Sequence, residues 1–157
     1  MTREADEARL VAAVRGLFAA LDVADFEGAR RRLAPVVDLD YVGLLGGTPQ
    51  RLSADEVVRG WRETVPGLDA LRHELGDPRP AVGGAAGMVV CPVEISHFLD
   101  DRRWRLVGLY RLGLTRSEVW RIGSITLEIE REEGDRSLIA AARSRATRAR
   151  PGGHDLL

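Results

Sequence analysis

The sequence predicts an α+β fold in which helices come first and a meander of long strands follows, the helices packing on one face of a single sheet. Three observations carry this reading. Residues 3–21 place Leu10, Val11, Val14, Leu17, Phe18 and Leu21 at helical spacing, with charged residues opposite. From residue 68 onward, four long stretches alternate apolar and polar side chains. The connections LDDRR and TRSE between them have the length of antiparallel hairpin turns.

Each element follows in order. After the first amphipathic helix, DFEGARRRLA reads as a short second helix that Pro35 closes, because a residue before proline avoids helical backbone. PVVDLDYVGLL reads as a strand and GGTPQ as a turn. SADEVVRGWRE opens with Ser53 and Glu56 at capping-box spacing, which starts a third helix; Pro66 and Gly67 end it. LDALRHELGDPRPAV, AAGMVVCPVEISHFL, RRWRLVGLYRLGLT and EVWRIGSITLEIERE are the four strands. The domain organisation is one α+β unit over 1–133 and a helical extension with a frayed tail over 134–157, where His154 is expected in water.

Composition removes several functions. A chain of 157 residues builds one ordinary core, and a net charge of −1 gives no basic field for nucleic acid or acidic membranes. All 23 cationic side chains are arginine, so no lysine can form a Schiff base or hold a P-loop phosphate. Cys91 is the only cysteine, which rules out an intrachain disulfide or a CxxC site. It reads as a buried thiol. MTREADEARL is charged rather than signal-like, and no apolar run reaches membrane length, so a cytoplasmic protein is expected. There is no GxGxxG and no close-spaced ligand pattern such as HExxH, so neither cofactor nor metal is expected.

The residues with chemistry stand out by phase. His97 shares the alternation of Val89, Cys91, Val93 and Ile95, while Glu94 points the other way. His73 shares phase with Leu71 and Leu75, and Tyr41 with Val37 and Leu39. Imidazole titrates near neutral pH and can both remove and return a proton, so two histidines and a phenol on apolar faces fit an acid/base site in a dry pocket. A carboxylate such as Asp22 could fix an imidazole tautomer and support its cationic form. Each also has a plain structural reading: a core histidine satisfied by a carbonyl, a helix-ending aspartate, a space-filling tyrosine. Trp61, Cys91, Tyr110 and Asp40 are candidates for the substrate-binding wall.

In their order and spacing, LFAALDVADFEGARRRLAPVVDLDY, ADEVVRGWRE, LRHELGD and RLVGLYRLGLTRSEVWRI resemble the SnoaL-like branch of the nuclear transport factor 2-like superfamily, which includes polyketide cyclases and scytalone dehydratases. The resemblance covers roughly residues 5–130. It implies a cone-shaped barrel, a strongly curved mixed or antiparallel sheet packed with N-terminal helices around an apolar pocket, the cystatin-like arrangement. Asp22 in ALDVADF falls where the dehydratases carry a catalytic-site aspartate. Tyr41 in DLDYVGLL, His73 in LRHELGD and His97 in VEISHFLDD fall on their tyrosine and two histidines. The resemblance implies that His73 is the principal acid/base, that Asp22 holds His97, and that Tyr41 polarises a carbonyl. Ketosteroid isomerases of this fold use a first-strand aspartate as base; Asp40 lies nearby, although its phase opposes Tyr41.

The expectation is therefore a cofactor-free enzyme that dehydrates or cyclises a small apolar carbonyl compound or polyketide-like intermediate. An isomerase or pericyclic cyclase on the same scaffold stays open, as does a non-catalytic binding protein. The expected partners are a small-molecule substrate and further copies of the chain, as a homodimer or homotrimer.

Overall fold

A computed structural model describes residues 2–149; the tail with His154 lies outside the described residues. Helix α1 (Arg3–Asp22) starts where the Thr2 hydroxyl accepts from the Ala5 N–H at 3.0 Å, and it buries Leu10, Val14, Leu17 and Phe18. Ala24, at φ +57°, turns the chain into α2 (Phe26–Arg31), capped by Asp25, whose carboxylate accepts from the Gly28 N–H at 2.9 Å. Then come β1 (Leu33–Asp40), α3 (Val42–Leu45), β2 (Gln50–Ser53) and α4 (Ala54–Arg62). A 3₁₀ turn (Val65–Gly67) leads to β3 (Ala70–Leu75), β4 (Arg79–Gly83), β5 (Ala86–Leu99), β6 (Arg102–Arg116), β7 (Trp120–Gly134) and α5 (Leu138–Ala149).

The strands form one mixed sheet in the order β2-β1-β7-β6-β5-β3, with β4 on the other half of β5. Strand β1 runs parallel to β7, and every other pairing is antiparallel. The sheet is strongly curved but does not close, because its ends, β2 and β3, do not pair. Two irregularities between β6 and β7, at Val107/Gly108 and Gly113/Leu114, bend the longest strands around the core. At Gly108 a Cβ would meet the Glu128 carbonyl oxygen at 2.1 Å, so this close approach requires glycine. The α+β architecture expected from the helix-then-strand order is the one observed.

Three expectations change at the level of elements. LDALRHELGDPRPAV is not one strand; it breaks at Asp77-Pro78, so β3 pairs with residues 93–98 of β5 and β4 with residues 86–90. The chain does not wait for Pro35 to leave the helix. Strand β1 begins at Leu33, and Pro35 is tolerated because the β1–β7 register is interrupted between Leu33 and Asp38. Strand β1 also stops at Asp40, whose carboxylate accepts from the Val42 N–H at 3.1 Å and turns the next residues into α3. The capping box at α4 is present in both halves, Glu56 N–H to Ser53 Oγ at 3.1 Å and Ser53 N–H to Glu56 Oε1 at 2.9 Å. Helix α5 buries Leu138, Ala142 and Ala146, and its Ala142 carbonyl lies against Gly67 in the 3₁₀ turn. Among the described residues, no helix is long and apolar enough to cross a membrane.

Candidate active site

The concave face of the sheet, the C-terminal end of α1 and the segments α3, α4 and α5 enclose a cavity of about 210 Å³. Leu71, Ile95, Leu106 and Leu127 supply apolar walls from the sheet, and Leu44, Leu45, Val65 and Ile139 line it from α3, the 3₁₀ turn and α5. Among the described residues, no arginine, aspartate or glutamate lines it. Its titratable groups are Tyr41, His73, His97 and Tyr110.

His73 reaches the cavity because it shares the inward phase of β3 with Leu71 and Leu75. Its Nδ1 lies 2.6 Å from Asp22 Oδ1, and its backbone N–H donates to Asp22 Oδ2 at 2.9 Å. Asp22 is the last residue of α1, so the helix end delivers a carboxylate straight to β3. Both of its oxygens are spent on this one residue. A carboxylate accepts, so Nδ1 carries the proton and Nε2 is left for a ligand. The His73 side chain is only 5% exposed, and Phe18 stacks on its ring at 4.7 Å.

His97 is held differently. Its Nδ1 lies 3.0 Å from the Trp104 carbonyl oxygen, and its ring packs against the Trp104 indole at 4.6 Å. A carbonyl can only accept, so this imidazole too carries its proton on Nδ1. Burial pulls its pKa down to about 4, an effect that the Trp104 carbonyl opposes and the neighbouring His73 reinforces. His97 is therefore neutral at pH 7 and offers Nε2 as an acceptor.

Tyr41 stands at the start of α3, where its oxygen accepts from the Tyr110 hydroxyl and the Trp61 indole N–H. Burial pushes its pKa up to about 12, against the lowering effect of those two donors. Tyr110 is raised further, first by burial and then by the adjacent Tyr41. Both phenols stay protonated, and the Tyr41 O–H remains available to a ligand. Phe18 stacks on Tyr110 at 4.6 Å, which ties this pair to the His73 wall.

The structure thus brings Asp22, His73, His97, Tyr41, Trp61 and Tyr110 to one place, and it corrects three expectations. Asp22 holds His73, not His97. Residue 97 pairs across the strands with Leu71, two positions before His73, and so lies beyond the end of α1. Cys91 is fully buried and does not line the cavity; its Sγ faces the carbonyls of Gly76 and Pro92. Its phase is that of His97, but six residues of strand separate them, about 20 Å. Asp40 is engaged by the Val42 N–H and stays outside the cavity, in keeping with its opposite phase. The partnership of His97 with Trp104 was not anticipated, although a two-residue turn at Asp100–Asp101 makes positions 97 and 104 cross-strand partners. The α3 residues that line the cavity, Leu44 and Leu45, carry no such signal in the sequence. Among the described residues, no three His, Cys, Asp or Glu side chains gather as a metal-binding group.

By sequence, no family model and no curated protein matches this chain. By structure the likeness is clear. Kfla4162 from Kribbella flavida superposes with a TM-score of 0.82 at 19% identity, over 90% of this chain and 100% of that one. A candidate dehydratase of the NTF2-like family from Streptomyces avermitilis gives 0.69 at 17% identity, over 80% and 97%. A candidate scytalone dehydratase from Novosphingobium aromaticivorans gives 0.67 at 12%, over 82% and 86%. The chain has an α+β fold with a curved, open mixed sheet. That fold is the one NTF2-like proteins share, described for another of these structures as cystatin-like.

Proposed function

We propose that this protein is a cofactor-free acid/base lyase that removes water from a small, neutral, largely apolar carbonyl compound. The observation that carries the reading is the Asp22–His73 pair, which presents an imidazole Nε2 to an apolar cavity with a second, neutral imidazole in its wall. Absence of charge from the lining favours a neutral ligand, since an anionic one would be desolvated there without a partner. Solved structures of this fold named as candidate dehydratases agree with this class of reaction.

The chemistry follows from the positions. His73 Nε2 takes the proton α to the substrate carbonyl, and Asp22 offsets the charge that His73 gains. Tyr41 donates to the carbonyl oxygen as enolate charge develops on it. His97 accepts a hydrogen bond from the β-hydroxyl and holds the leaving oxygen toward His73. The β carbon–oxygen bond breaks as the double bond forms, His73 returns its proton to the departing oxygen, and water leaves. With a second carbonyl further along the same molecule, the enolate carbon attacks that carbonyl carbon and closes a ring; the C=O π bond breaks to an alkoxide, which takes the proton back from His73.

Mass spectrometry of metabolites after deletion of the gene tests the class of reaction. An accumulated compound heavier than the missing product by one water is the expected result. An isomer of equal mass would move the reading to cyclisation, and an unchanged profile would count against a metabolic enzyme.

A further inference from the structure

The His97 wall continues to the protein surface through an unbroken series of contacts that the chemistry above does not use. Trp104 accepts from His97 through its backbone carbonyl and packs its indole against the imidazole. The same indole Nε1–H donates to Glu132 Oε2 at 2.7 Å, from β6 to β7. Arg136 then grips Glu132 with two nitrogens, at 2.7 and 3.1 Å, and its guanidinium lies 5.7 Å from the centre of the Trp104 ring. Its NH1 nitrogen, one of those two, also donates to the carbonyl of Leu44 in α3 at 3.0 Å, and Leu44 lines the same cavity.

This is an odd investment for a surface ion pair. Arg136 and Glu132 have side chains 51% and 33% exposed, where such a pair by itself contributes little. Trp104, in contrast, is 4% exposed, and its indole N–H has Glu132 as its hydrogen-bond partner. The exposed pair Arg111 with Glu128, which joins β6 to β7, includes no residue that lines the cavity.

We propose that Glu132 and Arg136 are positioning residues for His97, acting through Trp104: they lock the indole, and the locked indole sets the orientation and dryness of the imidazole. Glu132 fixes the indole by accepting its N–H, and Arg136 fixes Glu132 while covering the outer face of the ring. The functional meaning of this inference rests on the acid/base reading of the cavity, but its physical content needs no substrate. The other titratable groups lining the cavity are His73, Tyr41 and Tyr110; the variants of Glu132, Trp104 and Arg111 leave all three in place, and His73 is replaced only to assign its signals.

The test is nitrogen-15 NMR of the imidazole rings, which are only three in the chain and are assigned by replacing His73 and His154 in turn. In the intact protein, His97 shows the Nδ1–H form and titrates near 4. Glu132→Ala frees the indole and lets water reach the ring, so the His97 midpoint rises by roughly one unit toward its ordinary value. Trp104→Phe, which keeps the carbonyl but deletes the N–H, gives a similar rise, and the double variant adds nothing further. Glu132→Gln, which retains an acceptor for the indole, recovers part of the shift. Arg111→Ala leaves His97 untouched. A Glu132→Ala protein with native amide spectra and an unmoved His97 would overturn the proposal, as would full additivity with Trp104→Phe. Either result would leave the Asp22–His73 chemistry standing, whereas inactive chemistry with a coupled His97 would leave the positioning network standing.

Discussion

The two walls of the cavity carry the same residue with the same tautomer and give it opposite electrostatic surroundings. On the β3 wall, His73 donates to a carboxylate that has both oxygens committed to it. On the β5–β6 wall, His97 donates to a neutral carbonyl and packs against an indole. The first arrangement accepts positive charge, and the second resists it. The contrast teaches that the partner of the hidden nitrogen, rather than the imidazole itself, assigns the role: His73 is built to shuttle a proton and His97 to stay neutral and accept a hydrogen bond.

Breaking the β3 wall has the largest consequence. His73→Gln removes the proton carrier and is expected to lower turnover on the order of 10²–10⁴-fold. Asp22→Asn approaches that loss, because an amide can donate to Nδ1 and reverse the tautomer. Steady-state kinetics on a neutral β-hydroxy ketone checks both, with thermal melts to confirm folding. Tyr41→Phe, which removes the donor to the developing enolate, is expected to cost on the order of 10²-fold in kcat.

The His97 wall is sharpened by pH rather than by rate. Its folded pKa, about 4, lies below the unfolded value of 6.5, so the unfolded state binds the proton first as pH falls. Stability that is full above about pH 6.5 is therefore lost on descent toward pH 4. Between pH 7 and pH 5 this residue accounts for a loss of about 2 kcal/mol. Urea titrations at both values, with His97→Gln as the control that flattens the difference, measure it. The smallest effect is expected outside both walls. Cys91→Ala costs about 1 kcal/mol of packing and leaves turnover unchanged, because its thiol faces the Gly76 and Pro92 carbonyls rather than the cavity.

Much of this architecture was legible in the chain. Alternation placed His73 and His97 on inward faces because period 2 is a local property of a strand, and Ser53 with Glu56 announced α4 because a capping box is local too. What alternation cannot give is depth along a strand. For that reason Cys91 and His97 looked equivalent although only one of them meets the cavity. Nor can it say which histidine a helix end reaches; that depends on the β3–β5 register, which sets Asp22 against His73 rather than His97. Helix α3 was hidden inside an apparently continuous strand pattern, since its cause is a single bond from the Val42 N–H to the Asp40 side chain.

The central claim is that His73, held by Asp22, moves a proton inside this cavity. Incubation with neutral β-hydroxy ketones in deuterium oxide tests it most directly, with mass spectrometry reading both loss of water and deuterium gained α to the carbonyl. The intact protein and Cys91→Ala are expected to carry out both reactions, and His73→Gln neither. Undiminished exchange and water loss by a folded His73→Gln protein would contradict it.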